Sequence, residues 1–334
     1  AHVTAQTVET DQGTFSIGTD GNWSFAVNSA NADVQALGAN ESMTKTFTVA
    51  SADGTATQEV TVTINGANDS ATITGSAAGS VGEDGNHSAT GHLSVADVDS
   101  GQAHVTAQTV ETDQGTFSIG TDGNWSFAVN SANADVQALG AGESMTKTFT
   151  VASADGTATQ EVTVTINGAN DSATITGSAA GSVGEDGNHS ATGHLSVADV
   201  DSGQAHVTAQ TVETDQGTFS IGTDGNWSFA VNSANADVQA LGAGESMTKT
   251  FAVASADGTA TQNVSVTITG SNDGPTVSGA VALGHTAEDN SVTFTTAQLL
   301  ANAHDVDTHD TLSVSNLTST HGSIVDNGNG TYTF

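Results

Sequence analysis

The chain has 334 residues, three lysines, no arginine and 37 acids, for a formal charge of −34. That charge repels nucleic acid and anionic membrane and attracts cations. The absence of cysteine excludes disulfides and thiolate metal sites.

An apolar share of 36% and aromatic residues at fixed places point to folded domains rather than disorder. No apolar run approaches a membrane span, so no membrane insertion of this segment is expected. Gly, Ser, Thr and Ala dominate and proline appears once, at Pro275, which favours short strands with tight turns.

Ala1-His2-Val3-Thr4 returns at Ala103 and at Ala205, a period of 102 residues. Residues 1–67 match 103–169 except that Asn40 becomes Gly142, and 68–169 match 170–271 except at five positions. A period this long is a whole domain rather than a solenoid rung. The phase predicts the C-terminal part of one Ig-like module at 1–67 and complete modules at 68–169 and 170–271. A partial, divergent module begins at 272–334. The chain starts and stops mid-repeat, as a piece of something longer would.

Within 68–169, strands are expected at Ala71 to Thr74, His87 to Val95 and Val105 to Val110. Thr116–Ile119 and Trp125–Val129 flank an Asp-Gly turn and predict a hairpin. Met145 to Val151 and Val162 to Ile166 predict another, and Asp135 to Gly140 one helical turn between the two. Seven strands in about 100 residues is the pattern of an Ig-like Greek-key sandwich. Phe117, Ile119, Trp125, Phe127, Val129, Leu139, Phe149, Val151, Val162, Val164 and Ile166 are its expected core. The fold class is all-β, with tandem sandwiches end to end as a rod.

The acids fall at strand ends. Asp97 and Asp99 are two apart, so in extended chain they point the same way and share phase with Leu93 and Val95. With strands running alternately down and up, Asp155 reaches that same end. Glu83 and Glu143 reach the opposite one. At the next boundary this expects Glu83 and Glu143 beside linker Asn170 and Asp171, and Asp199, Asp201 and Asp257 of the following module. Six carboxylates together repel strongly unless cations bridge them. All-oxygen donors suit calcium. By the repeat, the first junction has Glu41, Asn68, Asp69, Asp97, Asp99 and Asp155. The third has Glu185, Glu245, Asn272, Asp273, Asp305 and Asp307. Asp122, a turn residue before glycine, needs no metal.

The run Ala138-Leu139-Gly140, Gly142-Glu143, Thr148-Phe149-Thr150-Val151, Ala154-Asp155-Gly156 and Val162 to Asp171 resembles a VCBS repeat. VCBS repeats are cadherin-like modules of large calcium-dependent bacterial RTX adhesins. The resemblance covers both complete modules and the first partial one, and residues 272–334 resemble a related cadherin-like module. It implies that Glu83, Glu143, Asn170, Asp171, Asp199, Asp201 and Asp257 share calcium. The linker departs from the family pattern at Gly168 and Ser172, so about two or three ions per junction are implied.

The expected role is a structural extender on a bacterial cell surface, stiffened by calcium and by neighbouring modules of the same chain. Alternatives are a module binding surface glycans or self-associating, and an acidic filament or surface-layer subunit. No enzyme is expected. His87, His92 and His104 are read as strand-surface residues that do not converge, and Trp125 as core rather than a sugar platform.

Overall fold

The structure, a computed structural model, describes residues 2–334 and consists of two compact units, Ala1–Asn170 and Asp171–Phe334.

In the first unit, β1 (Gln6–Thr10), β2 (Gly13–Ile17) and β3 (Trp23–Val27) form an antiparallel meander. A helical turn, α1 (Ala32–Gln35), leads to the hairpin of β4 (Ser42–Ala50) and β5 (Thr57–Asn65). The complete module follows with β6 (Thr72–Gly75), β7 (Ala78–Gly82), β8 (Ser88–Ala96), β9 (Gln108–Thr112), β10 (Gly115–Ile119) and β11 (Asn124–Val129). Then come α2 (Ala134–Gln137), β12 (Ser144–Ala152) and β13 (Thr159–Asn167). One sheet has the order β6-β8-β11-β10-β9 and the other β12-β13-β7.

The sequence predicts one first strand at Ala71 to Thr74; the structure has two, in different sheets. At Gly75 the chain takes φ 122, where a Cβ would stand 2.3 Å from the His92 carbonyl oxygen. Only glycine fits that turn. The chain then crosses to the second sheet, where β7 pairs parallel with β13, Ala78 opposite Thr163.

Between the sheets, Phe117 stacks on Phe149 at 4.5 Å, and the Trp125 indole is 2% exposed with Nε1 donating to Ser76 O at 2.7 Å. Val129 and Leu139 pack at the margin of this core, which also takes in Val81, Ala89, Leu93, Val105 and Val136. The Asn133 side chain caps α2 by accepting from the Asp135 and Val136 amides.

The nine-residue β12 lies at the edge of its sheet. Lys147 shares phase with Met145, Phe149 and Val151, on the inward face of that edge. On the outer side, Gln108 Nε2 donates to the Thr150 carbonyl at 2.8 Å; Gln6 does the same to Thr48 and Gln210 to Ala252.

In the second unit, residues 174–269 repeat the complete module. Thr174 pairs with Ala198 as Thr72 pairs with Ala96, and the two sheets keep the same strand order. Residues 272–334 form shorter elements. Thr276–Val277 pairs with Ala303–His304, and Thr331–Thr333 pairs with both Thr293–Thr295 and Val325–Asp326. Phe294 and Tyr332 are buried there. Among the described residues no helix is long and apolar enough to cross a membrane, which says nothing of a β-barrel.

Candidate metal centres

Strand direction sets the ends of the complete module. β8 runs out at Ala96, so Asp97 and Asp99 follow at the end where β12 turns into β13 around Asp155. Glu83 follows β7 and Glu143 precedes β12, at the other end.

In the first unit the linker ties the two parts together. Gly66 N donates to Glu41 O at 2.9 Å, and a Cβ on Gly66 would stand 2.2 Å from Leu37 O. Asn68 Nδ2 donates to Asp155 Oδ2 at 2.9 Å, Asp69 N to Asp99 Oδ2 at 2.9 Å, and Asp99 N to Asp97 Oδ1 at 2.9 Å. Gly38 N donates to Glu41 Oε2 at 3.0 Å, and a Cβ on Gly38 would stand 3.6 Å from Asp99 Cγ. Glu41, Asn68, Asp69, Asp97, Asp99 and Asp155 are thus linked through one set of hydrogen bonds and close approaches. The other end of this module has Glu83, 1% exposed, accepting from Gln137 Nε2 at 2.6 Å and from Ala169 N at 3.2 Å. Glu143 accepts there from Gly140 N at 3.2 Å. Asn170 closes the unit.

In the second unit the pattern recurs. Asp171 N donates to Asp201 Oδ2 at 3.0 Å, Asp201 N to Asp199 Oδ1 at 2.9 Å, and Asp257 Oδ1 accepts from Ser255 Oγ at 2.6 Å. Farther along, Glu185 accepts from Gln239 Nε2 at 2.7 Å and Ser271 N at 3.1 Å, and Asp273 N donates to Asp307 Oδ2 at 2.9 Å. Asp305 Oδ1 accepts from Asp307 N at 3.2 Å, and Asn272 Nδ2 donates to the Asp273 carbonyl. Glu245 Oε2 accepts from Gly242 N at 3.0 Å while His309 Nδ1 lies 2.8 Å from Oε1.

Asp97 Oδ2, Asp99 Oδ1, Asp199 Oδ2, Asp201 Oδ1, Asp273 Oδ2 and Asp307 Oδ1 are buried with no hydrogen-bond partner. Asp99, Asp201 and Asp307 are each 2% exposed. An unpaired carboxylate oxygen taken out of water costs several kcal/mol unless a cation meets it. The neighbouring donors are carboxylate, amide and carbonyl oxygens, the set a hard divalent cation takes. Among the described residues no three His, Asp or Glu side chains converge on one point as a finished cage.

Burial first, and then Ser271 N against the charges of Asp273, Asp186 and Asp307, leave the Glu185 carboxyl raised above its ordinary value. Burial followed by Asp307, Asp186 and Asp305 raises Asp273. The Asp155 carboxyl is held far below the usual range by the Ser153 hydroxyl, then Thr157 and Asn68. Asp122 is lowered by Asn124 alone among its larger influences and stands in its turn, away from these clusters.

Sequence reasoning missed the supporting shell. Gln137 and Gln239, on the short helix, hold Glu83 and Glu185, and Gly38, Gly140 and Gly242 hold Glu41, Glu143 and Glu245 by their amides. The glycine three before each glutamate was the available signal. The histidine reading needs one correction. His92 and His104 border the same shallow cavity of about 260 Å³, with His92 Nε2 3.1 Å from Asp122 O. They are brought together because the chain after Asp99 folds back across β8. His87 is exposed elsewhere.

The sequence profile of the bacterial cadherin-like domain matches residues 68–168 and 170–270, and that of a cadherin-like domain matches 271–334. No curated protein matches the chain. Among solved structures it is similar to PcdhgB3 EC1-4, at 15% identity and TM-score 0.43, covering 99% of this chain and 81% of that one. It is similar also to the protocadherin gamma B2 extracellular cadherin domains 1–5, at 13% identity and TM-score 0.46, covering 82% and 53%. The human desmocollin-1 ectodomain matches at 14% identity and TM-score 0.36, covering 79% and 53%. The chain spans about half the length of the last two.

Proposed function

The chain belongs to the bacterial cadherin-like domain family, and from that premise we propose that it is an extender segment of a bacterial surface adhesin of the RTX type. Its modules are VCBS repeats at 68–169 and 170–271, flanked by parts of two more at 1–67 and 272–334. Domains of this family are structural adhesion modules, not enzymes, and cadherin-like domains typically bind calcium at their junctions. The segment stands outside the cell and carries some other part of its parent away from the surface. Near-identical copies support this role, because reach grows with copy number while a binding site needs only one.

The observation that carries the reading is the set of buried, partnerless oxygens on Asp97, Asp99, Asp273 and Asp307. Calcium, when bound, supplies positive charge and wide oxygen coordination there. In the first unit Glu41, Asn68, Asp69, Asp97, Asp99 and Asp155 hold it. In the second, Glu185, Glu245, Asn272, Asp273, Asp305 and Asp307 do. By the repeat, Glu83, Glu143 and Asn170 in one unit and Asp171, Asp199, Asp201 and Asp257 in the other have the same role. About two or three ions per junction suit these ligand numbers.

The chain has no cysteine, so paired labels can be placed cleanly. Thr248→Cys and Thr318→Cys put spin labels on exposed positions of the second unit, either side of its linker. Their distance distribution is expected to be narrow in millimolar calcium and broad in EDTA, with magnesium much less effective. A distribution that calcium does not change ends the stiffening role. Native mass spectrometry supplies the ion count, and a chain that retains no calcium ends the metal reading itself.

A further inference from the structure

In the repeated modules the third residue after the second aspartate of the DxD pair is glutamine. Gln102 Nε2 donates to Asp99 Oδ2 at 3.5 Å, and Gln204 Nε2 to Asp201 Oδ2 at 3.2 Å. Each glutamine thereby places an N–H beside a buried carboxylate. In residues 272–334 the corresponding position, three after Asp307, is Asp310. A carboxylate cannot make that donation.

Asp310 nevertheless occupies the glutamine's corner. Gln102 Nε2 lies 2.6 Å from where a Cβ on Gly38 would stand, and Asp99 Cγ lies 3.6 Å from that point. In the second unit, Asp310 Oδ1 and Asp307 Cγ each lie 3.7 Å from where a Cβ on Gly242 would stand. The main chain fixes the placement, with Asp310 N donating to Asp307 O at 3.3 Å and Thr308 Oγ1 to Ala240 O at 3.0 Å. Gly242 also holds Glu245 through its amide. The corner has therefore lost a donor and gained a negative oxygen, beside Asp307, which is 2% exposed and keeps Oδ1 buried without a partner.

We propose that Asp310 is an additional calcium ligand at the linker between 170–271 and 272–334. The inference rests on the calcium reading above. A sixth acid in the second unit's cluster, beside Glu185, Glu245, Asp273, Asp305 and Asp307, is unfavourable by itself, because it meets Asp307 at short range without a counter-charge. With a cation present the sign reverses. Affinity of oxygen sites rises with the number of charged ligands, and the exchange of Gln for Asp adds one.

The test uses the full chain and calcium alone as the probe. Residues 272–334 diverge from the repeats, so the amide signals of Thr308 and His309 are distinct and report on this junction during a calcium titration. Asp310→Gln installs the residue that both repeats carry, so the fold is kept. It is expected to raise the calcium midpoint at Thr308 about tenfold, in line with loss of one charged ligand. Asp326→Asn, in the same partial module but on another strand, is expected to leave the midpoint in place. A midpoint unmoved by Asp310→Gln, or moved equally by Asp326→Asn, overturns the assignment while leaving the calcium reading intact. A parent chain whose Thr308 and His309 signals ignore calcium overturns both.

Discussion

Residues 1–67 and 103–169 differ at a single position, yet the same side chains meet different surroundings. Trp125 is 2% exposed and Trp23 is 50% exposed. Val164 and Phe127 are fully buried, whereas Val62 and Phe25 are half-buried. The strands themselves form alike in both, with Phe15 opposite Phe25 as Phe117 is opposite Phe127. What differs is the cover. In the complete module β7 and β8 lie over the indole, with Gly79 and Gly91 leaving room for it. A Cβ at Gly91 would stand 2.5 Å from Trp125. Among the described residues nothing corresponds to β7 and β8 over Trp23. The hairpins are local and need only their own alternation and turns, but the core is long-range and needs strands from some 35 residues upstream.

The strongest break in this comparison comes from removing both tryptophans in turn. Trp125→Ala should cost about 3–5 kcal/mol, a large buried aromatic lost with its cavity left behind. Trp23→Ala should cost about 1–2.5 kcal/mol, since half of its surface already meets water and only the rest is lost from burial. Urea unfolding followed by circular dichroism separates the two, and equal midpoints would mean that Trp23 is covered in solution.

Calcium sharpens the comparison at the next scale. Asp53 and Asp155 lie in identical Ala-Asp-Gly loops, but only Asp155 accepts from a linker asparagine. Asp155→Asn should therefore lower the calcium retained by the chain, and Asp53→Asn should not. At a hundredfold excess over Kd each bound site adds about 2.7 kcal/mol to folding stability. Calorimetry in calcium and in EDTA should show that increment shrink for Asp155→Asn alone.

A smaller effect follows from the one residue that distinguishes the copies. Asn40 has φ 68 and Gly142 has φ 85, the left-handed region that glycine takes freely and asparagine tolerates. Gly142→Asn should cost less than about 1 kcal/mol, and Asn40→Gly should return a similar amount, read from thermal midpoints.

The smallest expected difference is the acid limb. Asp53 is lowered to about 2 by the Ser51 hydroxyl, then by the amide and hydroxyl of Thr55. Asp155 has the Asn68 amide as well and lies lower still. A depressed carboxyl stabilises the fold above its unfolded value of 3.8 and loses that contribution as pH falls through its folded value. In metal-free solution the Thr55 amide signal should titrate near pH 2 and that of Thr157 below it. Coincident titrations would mean that the Asn68 contact does not hold.

The repeat, the hairpins and the acid-bearing strand ends were legible in the sequence pattern itself: the 102-residue period, alternation around Asp-Gly, and the two-residue spacing of Asp97 and Asp99. The split of the first strand was not. Ala78–Gly82 is poor in β-branched residues, and only its parallel pairing with β13 makes it a strand. Val136 lay within the expected helical turn but outside the expected core, and it is fully buried on the short helix that the Asn133 side chain caps. Glu83 was legible as an acid at a strand end. Its partner Gln137, 54 positions away, carried no signal that pairs the two.

The edge strand β12 bears on how such a chain can be long at all. Successive copies whose nine residues differ only by Thr150 becoming Ala252 invite neighbours, or neighbouring molecules, to exchange that strand or to stack along it. The Gln108 amide occupies the Thr150 carbonyl, so an incoming strand finds that rung taken. Pairing along the rest of the edge would bury the Lys147 ammonium, which forms no ion pair among the described residues. Both features recur in every copy, with Lys45 and Lys249 as the counterparts. The three cations of the chain all stand on this strand, where they oppose strand exchange and let near-identical modules multiply without tangling.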